Sequence, residues 1–301
     1  MATSLRAACM RRVIRLIFKE QGLSVERERE RSLSTGKAHP PFPRSVRVGR
    51  FDIDGMPCAS IEPASAGRVG PVRVALYLHG GGYVTGYIDS SLMLCVPMAR
   101  ELGLRLVLPE YRLAPEHPFP AAIDDALKAY RRLLSEGYAP GEIALAGDSA
   151  GGGLCLATIQ ALRDAGEPVP AAVLCLSPWA DLTHSGRSHA ENAATDPLLH
   201  LGMLKLWASY YAGGADPSNP LISPVFADFS GFPPTLLQVD SGELLLDDSL
   251  TVAERARAAG VDVRLIRRDG LWHVWPALGD LIPESRQAFA AMKAFLSSLG
   301  G

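Results

Sequence analysis

The sequence predicts an α/β protein in which a mostly parallel central sheet is covered by helices on both faces. Two observations carry that reading. Short, continuously apolar runs alternate with stretches of helical periodicity along most of the chain, as expected for strands buried on both sides. One such run, Glu142-Ile143-Ala144-Leu145-Ala146, passes through Gly147-Asp148-Ser149-Ala150-Gly151 into a helix over residues 152–162. A serine thus sits between glycines at a strand-to-helix turn, the pattern of a nucleophile elbow. With 301 residues, 48% of them hydrophobic, the chain is within reach of one such domain carrying an insertion.

The elements follow in order. Residues 1–45 read as helical, then polar and proline-rich around His39-Pro40-Pro41-Phe42-Pro43. Within 4–22, Leu5, Val13, Ile14, Leu16, Ile17 and Phe18 are interleaved with Arg6, Arg11, Arg12, Arg15 and Lys19. That predicts an amphipathic helix and breaks any signal-peptide core. The favoured reading packs this helix on its own protein; the competing one lays it on a membrane surface. The run Glu26-Arg27-Glu28-Arg29-Glu30-Arg31 alternates in sign and reads as a solvated face. Val46-Arg47-Val48 and Phe51-Asp52-Ile53, with a turn at Asp54-Gly55, read as a hairpin. Strands are expected at 72–78, 104–109, 142–146, 171–176, 235–239 and 261–267, with helices at 90–103, 121–137, 152–162, 248–259 and 284–299.

Between 184 and 225 the alternation lapses, and Trp207, Tyr210 and Tyr211 lie in a helix-like stretch between Gly-, Asp-, Pro- and Asn-rich loops. With the N-terminal helix, this insertion is expected to form a lid over the carboxyl ends of the strands, where α/β sheets bind ligands. The expected organisation is cap helices over 1–45, a core over 46–183, a cap insertion over 184–225 and the rest of the core over 226–301.

Composition excludes several classes. A net charge of −2 gives no global field to draw nucleic acid or an anionic membrane. The five cysteines (Cys9, Cys58, Cys95, Cys155, Cys175) are scattered without a C-x-x-C pair, which argues against a disulfide framework and a zinc site. Cys95, Cys155 and Cys175 read as small core residues, and a cytoplasmic setting is expected. No metal or organic cofactor is implied, and no segment is long enough to span a bilayer.

Three constellations carry chemistry. Ser149 is the first. His79-Gly80-Gly81-Gly82-Tyr83, directly after a strand, is the second. Consecutive glycines bring backbone N–H groups close to a bound carbonyl and, with the N–H of Ala150, would form an oxyanion hole. A phosphate loop would need Lys followed by Ser or Thr, which is absent. His79 itself reads as a brace for the loop.

The third constellation supplies a base. His39, His184, His189 and His200 fall in the N-terminal or insertion segments, and His117 in a proline-rich loop. His273, in Leu271-Trp272-His273-Val274-Trp275, follows the last strand and is free to reach back over the sheet. It completes the chain order serine, acid, histidine. Asp240, Glu243, Asp247 and Asp248 all follow the strand at 235–239, and chemistry alone leaves the choice of acid open. The others would cap the helix starting near Asp248.

On these residues the chain resembles the hormone-sensitive lipase-like family of α/β-hydrolases, the bacterial family IV esterases. The resemblance is carried by HGGGY at 79–83, Glu110-Tyr111-Arg112-Leu113-Ala114-Pro115-Glu116 before Pro118-Phe119-Pro120-Ala121, the Gly147–Gly152 elbow, Ser177-Pro178-Trp179 and His273. It spans nearly the whole chain and is weakest over the first 45 residues. It implies the α/β-hydrolase fold with a helical cap built from the N-terminal helices plus an insertion. It also implies Ser149 as nucleophile and His273 as base, with Gly80, Gly81 and Ala150 as oxyanion donors and Gly82 supporting the turn. Glu243-Leu244-Leu245-Leu246-Asp247 fits the family's acid motif with Glu where Asp is commoner, thirty positions before His273, and favours Glu243 over Asp240.

The activity so implied is that of a serine carboxylesterase hydrolysing short- to medium-chain carboxylic esters through an acyl-enzyme intermediate. Its partner is a small-molecule ester, with no nucleic acid and no stable membrane insertion; dimers along an edge strand are common in such proteins, so a homodimer is an expectation. Tyr83, Trp179, Trp207 and Tyr211 are candidate pocket walls. The alternatives are an amidase or deacetylase with the same triad, and a small-molecule receptor that uses the fold only to bind.

Overall fold

The structure, a computed structural model, describes residues 3–18, 24–37 and 42–300. His39, Pro40, Pro41 and residues 19–22 of the expected N-terminal helix lie outside the described residues. Eight strands form one sheet: β1 (Val46–Ile53), β2 (Met56–Pro63), β3 (Val74–Leu78), β4 (Arg105–Pro109), β5 (Ile143–Asp148), β6 (Ala172–Leu176), β7 (Thr235–Asp240) and β8 (Val263–Arg268). Their spatial order is β1-β2-β4-β3-β5-β6-β7-β8. The β1–β2 and β2–β4 pairs are antiparallel and every other pair is parallel. The α/β class is therefore as the apolar runs predict.

Those runs are continuous because both faces of the sheet are covered. Leu76 and Leu78 of β3 and Leu145 of β5 pack in one core with Ala126 and Tyr130 of α4 (Ala121–Ser135) and Leu156 of α5 (Ala150–Asp164). Their neighbours Ala75, Tyr77, Ala144 and Ala146 point the other way. There they meet Met98 of α3 (Ile88–Leu102) and Phe289 and Phe295 of α9 (Pro283–Ser297). β8 closes one edge, with Arg264 and Arg267 exposed, a charged pattern that discourages unwanted strand pairing.

The first hairpin is larger than the sequence suggests. Val46–Val48 and Phe51–Ile53 lie in one strand, β1, and the partner strand is β2, beyond the turn at Asp54-Gly55. Both turn residues have positive φ (47° and 86°), as a two-residue hairpin turn requires. β2 escapes a propensity reading because two prolines, an alanine and a serine dilute its β-formers.

α1 (Leu5–Ile17) packs on its own protein. Ala7 and Ile14 are buried against Leu271, Trp272, Trp275 and Ile282. Ser4 caps the helix, and its hydroxyl and N–H also bond Glu284 at 3.1 and 2.7 Å. Arg11 donates to the carbonyls of Leu271 (2.9 Å) and Thr195 (3.1 Å).

α2 (Val25–Lys37) departs from expectation, because its charge run is not wholly solvated. Arg29 reaches inward, bonds the carbonyls of Val84 and Ala114 at 2.9 and 2.8 Å, and grips Glu116 through two 2.7 Å contacts. A helix places every third or fourth residue on one side, so sign alternation at every second position still turns Arg29 toward the protein.

The region at 184–225 holds a short helix, α6 (Ser188–Glu191), and α7 (Leu201–Ala212). Met203, Leu204, Trp207 and Tyr211 of α7 are buried. The last α/β unit contributes α8 (Leu246–Ala258) between β7 and β8.

Candidate active site

Ser149 stands between β5 and α5 with φ 52° and ψ −123°, a backbone conformation that costs energy for a residue with a side chain. Packing holds it there. The Ser149 N–H donates to Leu176 O (2.9 Å), and its carbonyl accepts from the Trp179 N–H (2.8 Å). The flanking glycines are forced by contact: a Cβ at Gly151 would stand 2.0 Å from Leu78 O, and one at Gly147 2.4 Å from Gly151 O. α5 starts immediately after the serine, so the Ala150 N–H is among the helix donors with no partner within the helix.

His273 and Glu243 meet as a buried pair. His273 Nδ1 lies 2.8 Å from Glu243 Oε2, and the two side chains are 5% and 0% exposed. The other carboxylate oxygen accepts from Ser177 Oγ and from the Asp240 N–H, both at 2.8 Å. Ser177 Oγ in turn accepts from the N–H of Val274 at 3.2 Å, tying the carboxylate to the backbone next to the histidine.

Asp240 turns away from the imidazole. Its oxygens accept the N–H groups of Leu271 (2.9 Å) and Gly242 (3.0 Å), and burial pushes its carboxyl up to about 6. Asp247 and Asp248 lie in the first turn of α8 but do not cap it with their carboxylates. Asp247 accepts from the Ser188 N–H (2.9 Å). Asp248 accepts from the N–H groups of Ala180 and Asp181 (2.8 Å each) and pairs with His189 Nε2 (2.8 Å). They fasten the 180–189 segment to the core instead.

For the imidazole, burial favours the neutral form, but the hydrogen bond and charge of Glu243, with the charges of Asp196 and Asp148, outweigh it. The net effect raises the His273 pKa above its ordinary 6.5.

The glycine loop corrects one expectation. The Gly80 N–H does not face the cleft; it donates to Asp148 Oδ1 at 2.9 Å, an oxygen that also accepts from the Tyr77 hydroxyl. A donor already engaged by a carboxylate is withdrawn from a developing oxyanion. Gly81 and Gly82 line the cleft beside Ser149. His79 braces the loop: Nδ1 lies 2.8 Å from Gly80 O, its ring stacks on Tyr111 at 4.1 Å, and burial pushes its pKa down to about 4.

Ser149, His273, Gly81 and Gly82 share a cleft of about 400 Å³. Its outer wall comes from the N-terminal helix (Ile14, Phe18), from Leu198 and Leu199, and from α7 (Met203, Leu204, Trp207).

Residues 75–277 match the sequence family described as having an alpha/beta hydrolase fold. A crystal structure of an esterase from the bacterial hormone-sensitive lipase family superposes with a TM-score of 0.93, at 40% identity over all of both chains. The chain belongs to that family of α/β hydrolases. An acetyl-hydrolase of Streptomyces hygroscopicus is 44% identical over 76% of this chain and 77% of its own. An esterase of Acinetobacter venetianus is 35% identical over 75% of each chain.

The structure of this α/β hydrolase sorts the four expected wall aromatics. Trp207 lines the cleft, and its ring would lie 2.1 Å from a Cβ at Gly82, so the glycine admits α7. Tyr83, Trp179 and Tyr211 do not line it. Tyr83 stacks on Tyr211 at 3.7 Å, and Trp179 is fully buried with its ring 6.1 Å from Tyr83. They form the layer behind the wall, because large aromatic faces are better buried against one another than left at a polar cleft.

Several residues that shape the site went unrecognised in the sequence. Asp148 holds the glycine loop and Ser177 holds the Glu243 carboxylate. Asn192 donates to Glu243 O (2.8 Å), and Asp196 accepts from the Leu244 N–H (2.9 Å). The only linear hint was the Ser177-Pro178-Trp179 motif and the aspartate inside the elbow.

Proposed function

We propose that this α/β hydrolase is a serine carboxylesterase hydrolysing short- to medium-chain carboxylic esters through an acyl-enzyme intermediate. Ser149 Oγ attacks the ester carbonyl as His273 takes its proton, and Glu243 keeps the imidazole in the required tautomer and stabilises the imidazolium. The tetrahedral oxyanion is held by the N–H groups of Gly81, Gly82 and Ala150. His273 then protonates the leaving alcohol and activates water for deacylation.

The observation that carries the reading is the buried His273–Glu243 pair in the same cleft as Ser149 and two loop glycines. A binding-only protein has no use for a carboxylate and an imidazole held together beside a strained serine. The Ser149 and His273 side chains make no hydrogen bond to each other among the described residues, and such contacts commonly tighten only when substrate binds. The cleft volume and its largely apolar wall suit a compact acyl group. A p-nitrophenyl ester series from acetate to laurate, with the matching anilides, tests the assignment. Turnover that peaks at short or medium esters supports it, and faster anilide than ester cleavage would move it to the amidases.

Two further outcomes follow from the geometry. The base must be neutral, and its pKa lies above 6.5, so kcat/KM is expected to fall as pH drops through that raised value. In Glu243→Gln the acid limb should shift to lower pH, because the neutral amide no longer favours the imidazolium. A pH–rate profile of both proteins checks the sign.

Ser177→Ala removes one donor from Glu243 and leaves the Val274 N–H without its acceptor. Hydrogen bonds to charged groups contribute about 1.5–3 kcal/mol, so kcat is expected to fall about ten- to a hundredfold. KM should hold, and Ser177→Thr should restore part of the loss. An unchanged kcat would show that Asp240 N–H alone orients the acid.

A further inference from the structure

α1 has two apolar faces, and among the described residues the fold buries only one. Ala7, Met10, Ile14 and Phe18 recur at helical spacing and pack on the protein. On the opposite side Leu5, Cys9, Val13 and Leu16 recur at steps of four, four and three, which also places them on one stripe. Leu5 is 90% exposed, Leu16 76%, Ile17 59% and Val13 44%. Among the described residues, four of the seven large exposed hydrophobic side chains are therefore on this one helix.

The helix carries Arg6, Arg11, Arg12 and Arg15 and no acidic residue, in a chain whose net charge is −2. Arg11 and Arg15 donate to carbonyls of the protein, while Arg6 and Arg12 are exposed at the edges of the outer stripe.

We propose that the outer face of α1 docks the protein onto an anionic lipid surface. An apolar stripe edged by arginines matches the interface of such a membrane: leucine and isoleucine enter the acyl boundary while guanidinium groups stay at the phosphates. A second copy of the chain is a poorer occupant. A symmetric contact through this face would set the same exposed arginines against their own copies. Because Ile14 and Phe18 of the same helix line the Ser149 cleft, docking would hold that cleft beside the lipid. No helix among the described residues is long and apolar enough to cross a membrane, so the contact is peripheral.

The test is sedimentation of the full chain with vesicles of phosphatidylcholine alone or mixed with phosphatidylglycerol. Binding is expected to the mixed vesicles, to weaken with added salt, and to be weak on phosphatidylcholine alone. The double variant Arg6→Glu/Arg12→Glu should lose on the order of thirtyfold or more in partitioning. Leu16→Glu should lose binding as well. These side chains are exposed, so hydrolysis of a water-soluble ester by both variants should match the parent and certify the fold.

Absence of sedimentation with anionic vesicles overturns the proposal. So does binding that ignores both the charge reversal and Leu16→Glu. A dimer seen by light scattering that Leu16→Glu dissociates would assign the face to a second copy, and also overturns it. Vesicle binding is read without turnover, so its failure leaves the esterase reading intact.

Discussion

Replacing Ser149 with alanine is expected to lower kcat for p-nitrophenyl butyrate by about 10⁶-fold, the scale of loss when a triad nucleophile is removed. Among the described residues, the elbow alone presents a hydroxyl at the N-terminus of α5 beside the glycine loop, and it does so because Gly147 and Gly151 let backbones approach where any Cβ would collide. The bonds that hold the turn, Ser149 N–H to Leu176 O and Trp179 N–H to Ser149 O, are main-chain bonds and survive the change. The variant should therefore melt with the parent, and circular dichroism separates lost chemistry from lost fold. A folded variant with near-parental turnover would end the serine mechanism.

Glu243→Ala is expected to lower kcat by about 10⁴-fold, the scale for a triad acid, while Asp240→Asn should lower it far less and reduce stability instead. The two carboxylates lie three positions apart but serve different partners. Glu243 joins His273 Nδ1, Ser177 Oγ and the Asp240 N–H. Asp240 uses both its oxygens on the N–H groups of Leu271 and Gly242. An asparagine there keeps one acceptor and sets its NH₂ against a buried N–H, a mismatch of about 1–3 kcal/mol. Urea melts and steady-state kinetics on the pair decide the matter; a larger kcat loss in the Asp240 variant would reverse the assignment of the acid.

Much of this site is legible in the chain because its parts are local. A strand-to-helix turn, a run of glycines after a strand and a histidine after the last strand are features of neighbouring residues. The resemblance to hormone-sensitive lipase-like proteins picks out Glu243, and the structure sets its carboxylate against His273. The gaps have a common physical origin. Three consecutive glycines look alike in sequence, and which of their N–H groups remains free depends on Asp148, 68 residues downstream of Gly80. Aromatic residues on one helix face look equally suited to a wall, yet Trp207 meets the cleft while Tyr211 is covered by Tyr83. The Glu26–Arg31 run shows no sign of an inward arginine until Glu116 and two carbonyls are brought beside Arg29.

By itself, then, the sequence determined the α/β class, the elbow serine, the glycine loop and the histidine beyond the last strand, since each follows from apolar period, turn geometry or order along the chain. Tertiary structure alone decided which loop N–H is engaged by Asp148, which serine steadies Glu243, and which aromatic faces the cleft. Those choices are made between groups such as Ser177 and Glu243, 66 residues apart, or Asp196 and Leu244, 48 apart. A hydrogen bond is set by distance and direction to within tenths of an ångström, and only the packing of the sheet, the helices and the insertion against one another supplies them.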